Sequence, residues 1–268
     1  MALPPPAPDS TALVTGASSG IGEAVARELA SRGFGVTLVA RRETRLRELA
    51  SRIADEHGVR AEVIAADLGE SPERDSLATA VGELGLDVEV LVNNAGFGNR
   101  DEFAAADRER LIAMVRVNCE ALLDLQARYL PSMIERGRGA VINIASTASF
   151  QPIPGTATYA ATKAFVLSLS EAVHAEVSGT GVALTVVCPG PVRTEFMEAA
   201  NLDAAADKVP DMLWMSPEEV AAQAVDGAAK GKRVVVPGLV NRAGALAGQH
   251  SPRLLVLPLA RRIWRQAL

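Results

Sequence analysis

Tyr159 and Lys163 lie four residues apart in the run TYAATKAF. In a helix, residues i and i+4 are neighbours on one face, so the lysine ammonium would lie close to the tyrosine phenol. A phenol has an ordinary pKa of about 10, and a nearby cation favours the phenolate and lowers that pKa. The pair is therefore a candidate proton donor and acceptor. An exposed lysine beside a packed tyrosine has the same spacing, so the rest of the chain must distinguish the two.

Short apolar runs alternate along the chain with amphipathic stretches. The runs that predict strands are TALVT, GVTLVA, AEVIAAD, VEVLVNNA, GAVINIAS, GVALTVVCPG and KRVVVPG. The stretches that predict helices are 22–32, 42–57, 72–84, 107–134, 157–178 and 216–230. This alternation indicates an α/β protein with a single-domain, Rossmann-type, doubly wound parallel sheet of about seven strands, covered by helices on both faces. Such sheets bind ligands at the carboxyl ends of their strands.

The two ends of the chain differ in composition from the central part. The prolines of MALPPPAPDS predict a disordered lead-in over residues 1–9, before a Rossmann-type domain over 10–237 and an apolar, basic tail over 238–268. The tail ends in SPRLLVLPLARRIWRQAL, which combines apolar residues with arginines and contains no acid. Such a segment is a candidate for weak contact with a membrane surface. Because Pro258 interrupts it, docking on the protein itself or on a partner subunit is the alternative.

Charge and residue usage exclude several classes of function. The net charge of −5 over 268 residues gives no general attraction to nucleic acid, and no apolar run is long enough to predict a membrane span. The start of the chain lacks the basic and apolar regions of a secretory signal. Cys119 and Cys188 match no metal or redox spacing, which predicts reduced thiols and a cytoplasmic protein. The histidines are scattered, so no metal site is expected.

A glycine-rich turn follows the first predicted strand. The run TGASSGIG places Gly16, Gly20 and Gly22 directly before a helix. A helix N-terminus offers free N–H groups and the positive end of a dipole, which suits a pyrophosphate, and glycine lets the backbone approach it. The predicted cofactor contacts in this turn are Gly16, Ser18, Ser19, Gly20, Ile21 and Gly22. The alternative is a turn that packs helix against strand and binds nothing.

The end of the second predicted strand indicates which dinucleotide would bind. NAD sites usually place an acidic residue there, about 20 residues after the glycine loop, to hold the ribose 2′-hydroxyl. Here Ala40 is followed by Arg41 and Arg42, whose guanidinium groups suit a 2′-phosphate. NADP(H) is therefore predicted in preference to NAD(H). One or both arginines would otherwise begin the solvated face of the next helix, an interpretation that suits Arg42 better than Arg41.

In their order and spacing, these motifs resemble those of the classical short-chain dehydrogenase/reductase (SDR) family over roughly residues 10–237. TGASSGIG resembles the family's cofactor loop, NNAG the element after its fourth strand, and PGPVRT its nicotinamide-side loop. Ser146 precedes Tyr159 by 13 residues, as in the family. The resemblance implies that Asp67 contacts the adenine amino group beside Leu68. It further implies cofactor contacts from Asn94, Ala95, Gly96, Tyr159, Lys163, Pro189, Gly190, Val192 and Thr194.

The resemblance also implies a catalytic set made of Asn118, Ser146, Tyr159 and Lys163. Tyr159 would protonate the alkoxide that forms when a hydride reaches a carbonyl carbon, and Ser146 would hydrogen-bond that oxygen. Lys163 would lower the Tyr159 pKa and bind the nicotinamide ribose, while Asn118 would anchor a water that relays protons. The predicted activity is that of an NADP(H)-dependent oxidoreductase acting on a carbonyl or secondary alcohol. An NAD-dependent alcohol dehydrogenase and a non-catalytic cofactor-binding regulator are the alternatives.

The substrate side of the predicted site is rich in apolar residues. The candidates are Phe97, Phe150, Ile153, Phe196, Met197, Met212, Leu213, Trp214 and Met215. They suit an apolar ketone, or they are ordinary core or subunit contacts. The segments 107–134 and 157–178 resemble the helices through which family members pair, which predicts a homodimer or homotetramer.

Overall fold

A computed structural model describes residues 3–200 and 210–252, together with residues 254, 257 and 258. Its seven strands are β1 (Ser10–Thr15), β2 (Val36–Ala40), β3 (Ala61–Ala65), β4 (Asp87–Asn93), β5 (Gly139–Ile144), β6 (Val182–Val187) and β7 (Val234–Val235). They form one sheet in the order β3-β2-β1-β4-β5-β6-β7, and each neighbouring pair is parallel. The predicted doubly wound α/β fold is thereby confirmed.

The helices cover both faces of this sheet. They are α1 (Gly20–Ser31), α2 (Glu43–His57), α3 (Ser71–Glu83), α4 (Arg108–Val115), α5 (Leu122–Arg136), α6 (Ala157–Glu176), α7 (Phe196–Ala199), α8 (Pro217–Ala229) and α9 (Leu239–His250). Alternate residues of β1 face opposite layers: Val14 packs with Leu46 of α2, while Leu13 packs with Leu125 of α5. Because both faces of the strand are buried, its centre, Ala12–Val14, is continuously apolar.

The strand order reverses next to β1. The chain first builds outward through β2 and β3, then returns to place β4 on the other side of β1. The loops after β1 and β4 therefore diverge at the carboxyl edge of the sheet and leave a crevice between them. This is where the glycine loop and the NNAG motif lie.

Three elements differ from the sequence-based expectation. The stretch 107–134, predicted as one helix, is interrupted by a π-helical turn at Arg116–Ala121 that separates α4 from α5. Apolar periodicity does not distinguish such a turn, because the residues on both sides remain helical. The strand predicted in KRVVVPG is reduced to two residues. The helix α9 was not predicted, and Arg253, residues 255–256 and the residues from 259 onward in the predicted basic tail lie outside the described residues.

The first residues of the chain contact the domain. Leu3 packs against the core on the α1 and α2 side of the sheet, and Pro4 is buried. The division into lead-in, domain and tail stays a prediction. Within the described part of the chain, no helix combines the length and the apolarity needed to cross a membrane.

Candidate active site

The turn between β1 and α1 requires glycine for two reasons. Gly16 and Gly20 have φ angles of 65° and 58°, which side chains disfavour. A Cβ on Gly20 would also lie 2.9 Å from Cγ2 of Thr194, and one on Gly22 would lie 2.3 Å from the carbonyl oxygen of Gly16. Gly22 therefore packs behind the turn, while Gly16 and Gly20 shape the surface that faces the crevice.

The helix that follows this turn has the features of an anion site. The N-cap residue of α1, Ser19, makes no side-chain capping hydrogen bond to the helix. The first N–H groups of a helix lack intrahelical partners and lie at the positive end of its dipole. The N-terminus of the twelve-residue α1 therefore offers N–H donors of the kind that a phosphate group requires, and the phosphate contact stays a prediction.

A cavity of about 560 Å³ fills the crevice. Every predicted cofactor-binding residue except Gly22 lines it, namely Gly16, Ser18, Ser19, Gly20, Ile21, Arg41, Arg42, Asp67, Leu68, Asn94, Ala95, Gly96, Tyr159, Lys163, Pro189, Gly190, Val192 and Thr194. Ser146 lines it too. Guanidinium groups, a helix N-terminus and the serine–tyrosine–lysine group thus share one cavity, and these residues fit a nicotinamide dinucleotide.

The two arginines after β2 differ in how they are held. Arg41 is largely exposed, and its Nη1 lies 3.7 Å from Oδ2 of Asp67. Arg42 donates from Nη2 to the hydroxyls of Ser18, at 2.9 Å, and Ser19, at 2.8 Å. Arg42 therefore faces the glycine loop, whereas the sequence favoured it as the arginine that only begins a solvated helix face.

Tyr159 and Ser146 both line the cavity, and their side chains interact there. Burial raises the pKa of Tyr159 to about 12, and the hydrogen bond with Ser146 acts in the opposite direction. The Ser146 hydroxyl oxygen also accepts from the backbone N–H of Ala148, at 3.1 Å. The Tyr159 hydroxyl is therefore fully protonated at neutral pH.

Lys163 is nearly inaccessible and contacts backbone. Its Nζ donates to the carbonyl oxygen of Ile144 at 2.9 Å and lies 5.9 Å from the centre of the Tyr159 ring. Burial lowers the pKa of Lys163 to about 8. The expectation that Lys163 lowers the Tyr159 pKa is not met in this structure, because burial dominates and the opposing effect comes from Ser146.

Asn118 lies behind the cavity, in the π-helical turn. Its Nδ2 donates to the carbonyl oxygen of Phe97 and to Oγ1 of Thr162, each at 3.0 Å, and its Oδ1 accepts from the Phe97 N–H at 3.1 Å. A Cβ on Gly96 would lie 2.9 Å from this Oδ1. The Asn118 side chain thus fixes the backbone that follows β4, and the water relay stays a prediction.

Part of the predicted substrate side lines the cavity. Phe97, Phe196 and Met197 do so, and the Phe196 ring centre lies 5.5 Å from that of Tyr159. The other candidates lie outside the lining: Phe150 packs against the core, Met215 packs with Val192, and Met212 is exposed, while Ile153, Leu213 and Trp214 are partly buried. Residues 201–209, which belong to the same segment, lie outside the described residues.

Two polar residues at the site were not predicted from the sequence. Glu195 lines the cavity and pairs with Arg42, with 2.7 Å between Oε2 and Nη1. Asn241 of α9 is buried, donates from Nδ2 to the Leu213 carbonyl oxygen at 3.1 Å, and fills the space where a Cβ on Gly190 would lie. The sequence did contain a signal for Glu195, since this acid directly follows PGPVRT and its charge complements the two arginines. No sequence pattern indicated Asn241.

The fold and this site define the class of the protein. A model of the family described as short chain dehydrogenase matches residues 10–205. The chain belongs to the short-chain dehydrogenase/reductase family and is an oxidoreductase of that family.

Comparisons with individual proteins agree with this assignment. The chain is 37% identical over 194 residues to a very-long-chain 3-oxoacyl-CoA reductase of Anas platyrhynchos, covering 71% of this chain but only 62% of that protein. A short-chain dehydrogenase from Sphingobium yanoikuyae in complex with NADPH is 36% identical, with a TM-score of 0.80 over 89% of this chain and 92% of that one. A bulky-bulky ketone specific alcohol dehydrogenase from Comamonas testosteroni is 30% identical, with a TM-score of 0.75 over 98% and 96%.

Proposed function

We propose that the protein is an NADP(H)-dependent oxidoreductase that transfers a hydride between the nicotinamide and a carbonyl or secondary alcohol, with an apolar ketone as the substrate of the reduction. One observation carries the proposal. Ser146, Tyr159 and Lys163 line the same cavity as Arg41 and Arg42. A protein that only sensed the dinucleotide would need Arg41 and Arg42 but not the serine, tyrosine and lysine.

The arginine end supports the choice of cofactor. No carboxylate stands at Ala40 to hold a ribose 2′-hydroxyl, while Arg41 and Arg42 both line the cavity. Arginine binds phosphate through several N–H donors in one plane. The related Sphingobium yanoikuyae enzyme was solved with NADPH. Asp67 and Leu68 would hold the adenine, and Lys163 the nicotinamide ribose.

The proton chemistry follows from the states of the polar groups. When bound, the nicotinamide supplies the hydride. Tyr159, whose pKa of about 12 keeps it protonated, donates its hydroxyl proton to the carbonyl oxygen as negative charge develops there. Ser146 donates a hydrogen bond to the same oxygen. Lys163, charged below a pKa of about 8, would hold the nicotinamide ribose next to these two groups.

Apolar side chains next to Tyr159 support the choice of substrate. Phe97, Phe196 and Met197 line the cavity, and the tilted contact of Phe196 with the Tyr159 ring places an aromatic face beside the proposed proton donor. Such a surface binds the hydrocarbon part of a ketone. Two of the relatives described above are named for bulky ketones and for very-long-chain 3-oxoacyl groups.

A panel of ketones and secondary alcohols, assayed with both reduced and both oxidised cofactors, tests the proposal. We expect ketone-dependent oxidation of NADPH that exceeds that of NADH, with bulky apolar ketones preferred over small polar ones. Turnover that favours NADH would instead indicate an NAD-dependent alcohol dehydrogenase. Tight NADPH binding without turnover of any member of the panel would indicate a cofactor-binding regulator.

We further propose a homodimer or homotetramer. Ile112 and Val115 of α4, Leu123 of α5 and Phe165 of α6 are 39 to 44% exposed and lie on the helices expected to pair. An isologous contact would bury these side chains. The cytoplasmic setting, the lack of a nucleic-acid partner and a weak membrane contact of the tail stay predictions.

A further inference from the structure

Glu195 connects two distant parts of the chain at the cavity. It directly follows the PGPVRT loop, and its carboxylate contacts two arginines of the β2–α2 region. Oε2 lies 2.7 Å from Nη1 of Arg42, and Oε1 lies 2.5 Å from Nη1 of Arg45. The hydrogen bonds from Arg42 and Arg45 hold the pKa of the Glu195 carboxyl below its ordinary value. Glu195 is therefore a full negative charge at neutral pH.

Arg42 is shared between this carboxylate and the glycine loop. Its Nη2 donates to the hydroxyls of Ser18 and Ser19, while Nη1 is paired with Glu195. Guanidinium groups bind carboxylates and phosphates through the same planar N–H donors. The Glu195 carboxylate thus already accepts from the Arg42 donor that a phosphate bound at the cavity wall would use.

We propose that Glu195 is a specificity-determining residue that competes with the 2′-phosphate of NADP(H) for Arg42. The inference rests on the proposed cofactor. The Glu195 carboxylate must leave Nη1 of Arg42 before a phosphate can accept from the same donor. The Arg42–Glu195 pair therefore reduces the advantage of NADP(H) over NAD(H). Without the carboxylate, Nη1 of Arg42 is open to the phosphate.

The position of Glu195 gives this competition a second effect. The preceding residue, Thr194, contacts Gly20 closely, and the following residue, Phe196, packs against the Tyr159 ring. Displacement of Glu195 from Arg42 by a 2′-phosphate therefore removes one of the two arginine contacts that restrain the segment beside the proposed proton donor, the other being that with Arg45. Binding at the adenosine end of the cavity then loosens the segment on the substrate side.

The test compares the affinities of two cofactor fragments by calorimetry, in the unmodified protein and in Glu195→Gln. Adenosine 2′,5′-bisphosphate carries the 2′-phosphate, and adenosine 5′-monophosphate does not. An exposed ion pair contributes up to about 1 kcal/mol, so we expect the preference for the bisphosphate to rise about three- to fivefold in Glu195→Gln. An unchanged preference would overturn the inference.

Glu43→Gln is the matched control. Glu43 begins α2 and pairs with Arg47 rather than with Arg42, so this variant removes one negative charge nearby without freeing Arg42. The preference of this variant for adenosine 2′,5′-bisphosphate over adenosine 5′-monophosphate should equal that of the unmodified protein. An equal rise in both variants would mean a general charge effect and would also overturn the inference. If the unmodified protein does not prefer the bisphosphate at all, the NADP(H) assignment itself fails, and the inference falls with it.

Hydrogen exchange in the unmodified protein gives a measurement that depends on no substitution. The amides of Met197 and Ala200 donate to the carbonyl oxygens of Thr194 and Phe196. Saturation with adenosine 2′,5′-bisphosphate, which has no nicotinamide to touch this segment, should accelerate their exchange, whereas adenosine 5′-monophosphate should not. Equal exchange with both fragments would contradict the displacement of Glu195.

Discussion

The Lys163 ammonium donates a hydrogen bond to the backbone carbonyl of Ile144, with 2.9 Å between Nζ and O. This bond ties the lysine of α6 to the carboxyl end of β5. Lys163 is therefore positioned by the sheet, and its Nζ lies 5.9 Å from the centre of the Tyr159 ring.

Tyr159→Phe should lower ketone reduction by at least the roughly 10²–10⁴-fold that accompanies loss of a general acid. Cofactor affinity should be unchanged, because the glycine loop and the arginines are intact. Steady-state turnover and NADPH titration measure the two effects. Tyr129→Phe is the control, because Tyr129 is the other tyrosine of the chain and its buried hydroxyl has no partner among the described residues. Full activity in Tyr159→Phe would exclude the phenol as the acid.

NADPH binding should weaken as the pH rises through about 8. The pKa of Lys163 is lowered to about 8 by burial, so its charge is present below this pH and is lost above it. Lys163 is proposed to donate to the nicotinamide ribose, and a hydrogen bond from a charged donor contributes about 1.5–3 kcal/mol. The affinity for NADPH should therefore fall about tenfold or more between about pH 7 and 9.5. Titrations monitored by tryptophan fluorescence measure the change.

Lys163→Met should bind NADPH weakly and with a flat pH profile over the same range. Lys232→Met removes an exposed lysine that is not among the residues lining the cavity, so NADPH affinity in this variant should still fall near pH 8. A step that persists in Lys163→Met would assign the titration to another group.

Arg41→Asp should weaken NADPH binding and leave NADH binding nearly unchanged. The substitution replaces a charge-assisted contact of about 1.5–3 kcal/mol by repulsion, which corresponds to a loss of about tenfold or more in affinity. Dissociation constants for both cofactors provide the measurement. Arg47→Asp, on the exposed side of α2, is the control and should change neither constant by much. Equal weakening of NADPH and NADH by Arg41→Asp would argue against a 2′-phosphate contact.

Asn241→Leu should destabilise the protein by about 1–3 kcal/mol, because the partly buried Leu213 carbonyl loses its donor. The leucine would also press against Gly190, whose Cβ position is already filled by the Asn241 amide. Urea unfolding gives the difference in free energy. Gln249→Leu, an exposed site on the same helix, should stay within about 0.5 kcal/mol of the unmodified protein. Similar stabilities for the two variants would show that Asn241 does not hold α9.

Light scattering at micromolar concentration should give the mass of a dimer or tetramer. Val115→Asp should shift the mass toward that of one chain, since the charge would be buried between identical helices. Phe103→Asp makes the same kind of change at an exposed site outside these helices and should leave the mass unaltered. A monomeric mass for the unmodified protein would rule out the assembly.

Local patterns predicted most of the fold and of the cavity lining. The glycine spacing sufficed for the turn before α1, since the positive φ angles of Gly16 and Gly20 are requirements of single residues. Contacts between distant segments were beyond such patterns: Arg42 and Glu195 are 153 residues apart. The direction of the Tyr159 pKa shift was predicted wrongly for the same reason: the pKa is raised by burial, and burial depends on packing between segments that are distant in the sequence.

The π-helical turn at Arg116–Ala121 limits how the chain can change in length. Such a turn holds one residue more than the α-helical turn it replaces. Because the turn absorbs that extra residue, deleting one residue within it would restore a regular α-helix and leave the flanking helices in their present orientation. Met114 of α4 and Leu125 of α5, which are both fully buried, could then both keep their places. A deletion inside α4 or α5 would instead rotate one part of the helix against the other by about 100°. We therefore expect one-residue differences in length between related chains to fall at this turn and not within α4 or α5.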